Sequence, residues 1–234
     1  MPDHVHFLIH VKEALNQPLG HLIGRIKAYI TYEWHRLAPA SLNYDIFSKG
    51  FNDKIIFHHR SLDDVFKYIR LNPYRLAVRT DRPFFFQKVR NIYIDNREIQ
   101  AYGNLFHLRN PFIYNLIIHR SDDEITFNNK REYSLYHASN GGVIISAFIS
   151  KREKEIRKDI EKVGGKIILI RNRPFDDREK PARHDFQLCY EGRILIISPI
   201  DYLNIPPTEH PTRVQCLDMN SLSEKIARSS CTIC

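Results

Sequence analysis

GGVIISAFI (141–149), a charged run from Lys151 to Val163, and KIILI (166–170) decide how this chain is read. The first and third segments are rich in the residue types that fill strands. The charged run between them reads as a helix. Strand, helix, strand is the repeating unit of a parallel sheet. Gly141-Gly142 and Gly164-Gly165 read as turns, because no G-x-G-x-x-G lies between strand and helix. Downstream, FQLCY (186–190) and RILIIS (193–198) read as two further strands, and residues 122–139 as a helix. Residues 81–103 read as a connection. The polar segment after Pro206-Pro207 reads as a loose tail over 203–234.

The N-terminal part has a different pattern. HVHFLIHV (4–11) is β-branched and aromatic and predicts a strand. Leu19, Leu22, Ile23, Ile26, Ile30 and Trp34 recur at helical spacing and predict a helix from Pro18 to about Arg36. Ser61, with Asp64 three residues on, predicts a helix start. That helix turns Leu62, Val65, Phe66 and Ile69 inward and ends at Asn72, because Pro73 disfavours helical geometry in the residue before it. The expected class is α+β: an incomplete antiparallel sheet with helices over residues 1–80, then a smaller α/β domain over 104–202.

Composition sets the outer limits. The chain has 234 residues, 43% hydrophobic and 26% charged, which fits a folded domain and not a disordered one. A formal charge of +8 favours polyanionic partners, nucleic acid first. Four cysteines (Cys189, Cys216, Cys231, Cys234) are too few for a disulfide framework. A terminal C-x-x-C without a second pair makes a poor zinc site. No apolar run is long enough to cross a bilayer, and no leader is legible, so the cytoplasm and no membrane partner are expected.

Two residue pairs carry chemistry. His4 and His6 would share one face of a strand, within reach of one divalent ion, although H-x-H also arises by accident. Tyr68 and Asn72 stand four apart on a helix and so share a face. An amide oxygen suits a hard cation such as Mg²⁺ or Mn²⁺. Equally, such a tyrosine can pack on a core and such an asparagine can cap a helix.

The whole string shifts that balance. MPDHVHFLI (1–9), KGFNDKII (49–56) and SLDDVFKYIRLNPYR (61–75) together resemble the REP-associated tyrosine transposases, an HUH single-tyrosine family. The resemblance covers roughly residues 1–80. It implies an HUH-type sheet in which His4, His6 and Asn72 ligate a divalent metal and Tyr68 attacks a DNA phosphate, leaving a 5′-phosphotyrosine. The implied partner is single-stranded or hairpin DNA, handled by a monomer or a homodimer. Asp3 stands where the family usually has Asn. Family members carry strands ahead of this motif, whereas Met1 coincides with the motif's own methionine, so a domain short of those strands is expected. Arg25, Lys27, Lys54, Arg70 and Arg75 are candidate DNA contacts. Two alternatives remain open: an inactive, domesticated or truncated hairpin-binding protein, and a hydrolase using a metal-activated water. The C-terminal pattern looks like the Rossmann-type domain of DNA-processing proteins and reads as an accessory module.

Overall fold

The structure, a computed structural model, describes residues 5–39, 44, 46–53, 55–56, 59–176, 179–181, 183–204 and 211–230. His4, Lys54, Cys231 and Cys234 lie outside the described residues. The chain divides into two compact units, Met1–Tyr74 and Arg75–Cys234.

The first unit holds helix α1 (Leu19–Leu37) and most of helix α2 (His59–Asp81). Pro18 sits at the N-cap of α1, where its missing N–H costs nothing. The predicted stripe lies as spaced, but Leu19, Ile23, Ile26, Ile30 and Trp34 are only half-buried, Leu22 is exposed, and no residue of α1 is fully buried. Residues 5–11 form no strand, contrary to the sequence reading. Strand-type residues become a strand only when a second backbone pairs with them. Among the described residues of this unit none does, and the segment is exposed.

Helix α2 also departs from expectation. It continues past Asn72 to Asp81 with Pro73 inside it. Proline deprives the carbonyl of Ile69 of its helical donor, which ordinarily costs about 3 kcal/mol. Continuation therefore needs support beyond local propensity. In the last turns Val78, which belongs to the second unit, is buried.

The second unit is built on one mixed sheet, in the order β1-β2-β6-β5-β4-β3. The strands are β1 (Lys88–Ile94), β2 (Arg97–Gly103), β3 (Ile113–Asn115), β4 (Val143–Ser146), β5 (Lys166–Ile170) and β6 (Ile194–Pro199). β3 to β6 are parallel. β1 and β2 form an antiparallel hairpin that continues the sheet beside β6. Most of the supposed connection 81–103, from Lys88 on, is thus part of the sheet. Asp95 and Asn96, both at positive φ, make the two-residue turn, a combination that matches the twist of the flanking strands. β2 ends at Gly103, where φ is +115° and a Cβ would collide with the carbonyl of Ile194.

Helices α3 (Glu124–Ser139), α4 (Lys151–Lys162) and α5 (Arg183–Tyr190) are the crossovers between the parallel strands. Phe127 and Ala138 of α3, Ile156 and Ile160 of α4, and Leu188 and Cys189 of α5 pack on one face of the sheet, against Ile144, Ile167, Ile194 and Ile196. FQLCY therefore belongs to a helix, not a strand. A parallel partner for β5 can only be reached through a crossover, and this segment has to supply it.

Helix α6 (Arg213–Ser230) occupies the region expected to be a loose tail. Its Met219, Leu222 and Ile226 cover the other face of the sheet, against Ile113, Val143, Ile145 and Ile168. Burying each such side chain contributes about 1.5–3 kcal/mol. Thr212 caps the helix reciprocally with Gln215: the Gln215 N–H donates to Thr212 Oγ1 and the Thr212 N–H donates to Gln215 Oε1. Arg97 of β2 holds Asp218 of α6 and Asp201 in one ion-paired network. With six strands and six α-helices among the described residues the chain is α+β, and the α/β unit is the larger of the two.

Candidate functional site

The first unit brings two of the predicted residues together. The His6 and Tyr68 rings stand edge to face, centroids 5.6 Å apart and planes 86° apart. They are 62 positions apart in the chain, so the meeting is tertiary. Tyr68 is 46% exposed, open enough for a polymer substrate to reach. Asn72, one turn further along α2, is only 5% exposed. Its Nδ2 is buried and has no hydrogen-bond partner among the described residues.

A buried amide without a partner costs about 1–3 kcal/mol and needs an explanation. The amide O and N exchange places by a flip of the terminal torsion, so the oxygen can occupy the same position. An imidazole with an amide oxygen is a donor set that accepts Mg²⁺ or Mn²⁺. The donor types of His6 and Asn72 therefore suit the divalent ion expected from the sequence. His4, the other expected ligand, lies outside the described residues. His10 is exposed.

The candidate DNA contacts separate by environment. Arg25 and Arg70 are exposed. Lys27 donates its ammonium to the carbonyls of Ser48 and Gly50, 2.9 Å to the latter, and lies 5.5 Å from the Phe47 ring. It pins the loop after α1. Arg75 belongs to the second unit and lies over the ring of Phe186 at 5.5 Å. One residue of α2 was misplaced by sequence: Phe66, expected inward, is 48% exposed.

In the second unit the usual ligand positions of an open parallel sheet are filled by its own chain. Such sheets bind ligands beyond the carboxyl ends of their strands and at the following helix N-termini. After β4 the chain turns through Phe148, a buried aromatic held at φ +47°, which is a strained conformation for a bulky residue. That turn presents the N–H groups of Ile149 and Ser150 to Glu153 Oε2, at 2.9 and 2.8 Å. Glu153 Oε1 accepts from the Ile118 N–H. The carboxylate thus sits where a phosphate would, on the N-terminus of α4.

The ends of β5 and β6 are closed in the same way. Ser198 Oγ donates to the carbonyl of Arg173, the Phe175 N–H donates to Gln100 Oε1, and Gln215 Nε2 donates to the carbonyl of Asn172. Among the described cysteines, burial pushes the Cys189 thiol up to about 12 and raises that of Cys216, which disfavours the thiolate of each. No group of three or more His, Cys, Asp or Glu able to hold a metal is present among the described residues. Nor is any described helix long and apolar enough to cross a membrane.

No protein-family model matches the chain, and neither a curated protein nor a solved structure is significantly similar to it.

Proposed function

We propose that this protein is a metal-dependent transesterase of the HUH single-tyrosine type that cleaves and rejoins single-stranded or hairpin DNA, as in DNA transposition. The observation that carries the reading is the approach of the His6 imidazole to the Tyr68 phenol, with the buried Asn72 one turn away, whose Nδ2 has no partner among the described residues. The resemblance of residues 1–9 and 61–75 to the REP-associated tyrosine transposases supports it from the sequence side.

In this reading His4, His6 and Asn72 would hold a divalent ion, Mg²⁺ or Mn²⁺, which would supply Lewis-acid charge at the scissile phosphate. The Tyr68 oxygen attacks phosphorus. A new O–P bond forms to the phenol as the bond to the 3′-oxygen of the upstream nucleotide breaks. The phenol proton leaves and the departing 3′-oxygen is protonated, so the products are a 5′-phosphotyrosine and a free 3′-hydroxyl. No water is consumed, and a second 3′-hydroxyl can reverse the step and join a new strand. A flexible strand can bend its phosphate against a tyrosine on a helix flank where a duplex is too stiff.

The test is covalent capture. Wild-type protein incubated with a labelled hairpin oligonucleotide and Mn²⁺ gives a denaturant-resistant adduct, and Tyr68→Phe gives none while still binding the hairpin. An adduct that survives in Tyr68→Phe removes Tyr68 as nucleophile. A catalytically inactive, domesticated or truncated hairpin-binding protein is the second reading. The absence of any paired strand among the described residues of the first unit favours it. It predicts hairpin binding with no adduct from wild type under any metal.

A further inference from the structure

We infer that the solvent face of α2, formed by Phe66, Lys67, Arg70 and Tyr74, is a stacking and phosphate-binding ridge for the single strand that flanks the reacting nucleotide. The inference rests on the DNA reading above and extends it from one nucleophile to the path of the strand.

At 3.6 residues per turn these four side chains fall within an arc of about 100°. Asn72 lies on the opposite side of the helix, and Tyr68 lies about 100° round from Lys67. A strand crossing the helix at Lys67 and Leu71 would pass from the ridge toward Tyr68.

Phe66 and Tyr74 are 48% and 50% exposed, an unusual state for rings on the helix that also carries the buried Asn72. Arg70 lies between them, one turn from each. Among the described residues no carboxylate is ion-paired with Lys67 or Arg70, although Asp81, Asp122, Asp159 and Asp185 all have basic partners. Asp63, Phe66, Lys67, Arg70 and Leu71 line an open hollow of about 410 Å³.

Rings alternating with unpaired cations are the chemistry that single strands use. Every base offers a π-face to an aromatic ring, and each phosphate offers a charge to Lys or Arg. An apolar protein partner would be served by the rings and Leu71 but gains nothing from two unpaired cations. Asp63 is the one acid among the described residues that line the hollow and works against a phosphate there.

Fluorescence anisotropy of a labelled single-stranded oligothymidine, with the full chain, tests this. Wild type should bind the single strand more tightly than a duplex of equal length. Phe66→Ala and Tyr74→Ala should each weaken binding about tenfold, and Phe66→Tyr should restore it. Lys67→Ala and Arg70→Ala should each lower the slope of log affinity against log salt by about 0.7, the signature of one lost phosphate contact on a single strand. Asp63→Asn should tighten binding by about twofold. Unchanged helical circular dichroism excludes misfolding as the cause. Ring variants that bind within twofold of wild type, or a wild type that does not bind oligothymidine, overturn the ridge. The Tyr68 reading fails separately, by the absence of an adduct from a wild type that still binds.

Discussion

Acid should unfold the second unit through His107. This residue lies in the turn Leu105–Arg109 and is 3% exposed. Its Nε2 is buried without a hydrogen-bond partner among the described residues. Burial pulls its pKa down from 6.5 to about 4, and the charge of Lys166 adds to the effect. The nearby backbone of Arg193 and Gly192 acts in the opposite direction but does not prevail. In the folded state the ring is therefore neutral down to about pH 4, whereas in the unfolded chain it takes up a proton near 6.5. Stability from this group is complete above pH 6.5 and is lost as pH falls toward 4. The gap corresponds to about 3 kcal/mol in total, of which about 2 kcal/mol is gone by pH 5.

Urea unfolding followed by far-ultraviolet circular dichroism, at steps between pH 7.5 and 4.5, measures this loss. Trp34 is the only tryptophan and belongs to the first unit, so its emission follows that unit separately. Other histidines titrate too, so the quantity to compare is the pH dependence of wild type against that of His107→Gln. Wild type should lose about 2 kcal/mol more than the variant between pH 7 and 5. Parallel pH profiles for the two proteins would refute the account of a neutral, buried imidazole.

Three further outcomes follow from contacts already described. Leu222→Ala should cost the second unit about 2–5 kcal/mol, measured by urea unfolding, because the side chain fills the interface between α6 and the sheet; a loss below about 1 kcal/mol would mean that α6 is not docked there. Glu153→Ala should cost about 3 kcal/mol by removing a carboxylate that serves three backbone N–H groups, and adding phosphate or sulfate should restore part of the loss by filling the vacated site. An effect near zero would show that the turn at Phe148 stands without it. Asn72→Ala should abolish Mn²⁺-dependent adduct formation while leaving the unfolding free energy unchanged to within about 1 kcal/mol, since its Nδ2 has no partner to lose among the described residues; retained adduct formation would remove Asn72 from the metal site.

Where the sequence succeeded, the signal was local and periodic. α1 begins one residue after Pro18, β5 has the limits of the KIILI run, and α4 begins at Lys151 behind Ser150, whose hydroxyl makes a capping box with Glu153. The signal for the β1–β2 hairpin was also present, as Asp95-Asn96 between two runs of strand-type residues, but those residues read as a connection. FQLCY was ambiguous by nature, since five residues, four of them apolar, suit a strand or one side of a short helix. α6 has only a sparse apolar stripe, which becomes meaningful once the sheet face it covers exists.

The candidate site divides along the same line. Helical geometry alone puts Tyr68 and Asn72 on one side of α2, because four residues make about one turn. Only the tertiary structure decided that His6 comes to the Tyr68 ring, that Asn72 is buried with its Nδ2 unpartnered among the described residues, and that Phe66 faces solvent. Residues 5–11 have the composition of a strand, but strand formation is a property of a pair of backbones, and composition describes only one of them. Periodicity is written in neighbouring residues and can be read from the chain. Pairing, burial and the meeting of distant side chains depend on which other surface arrives, and no local pattern encodes that.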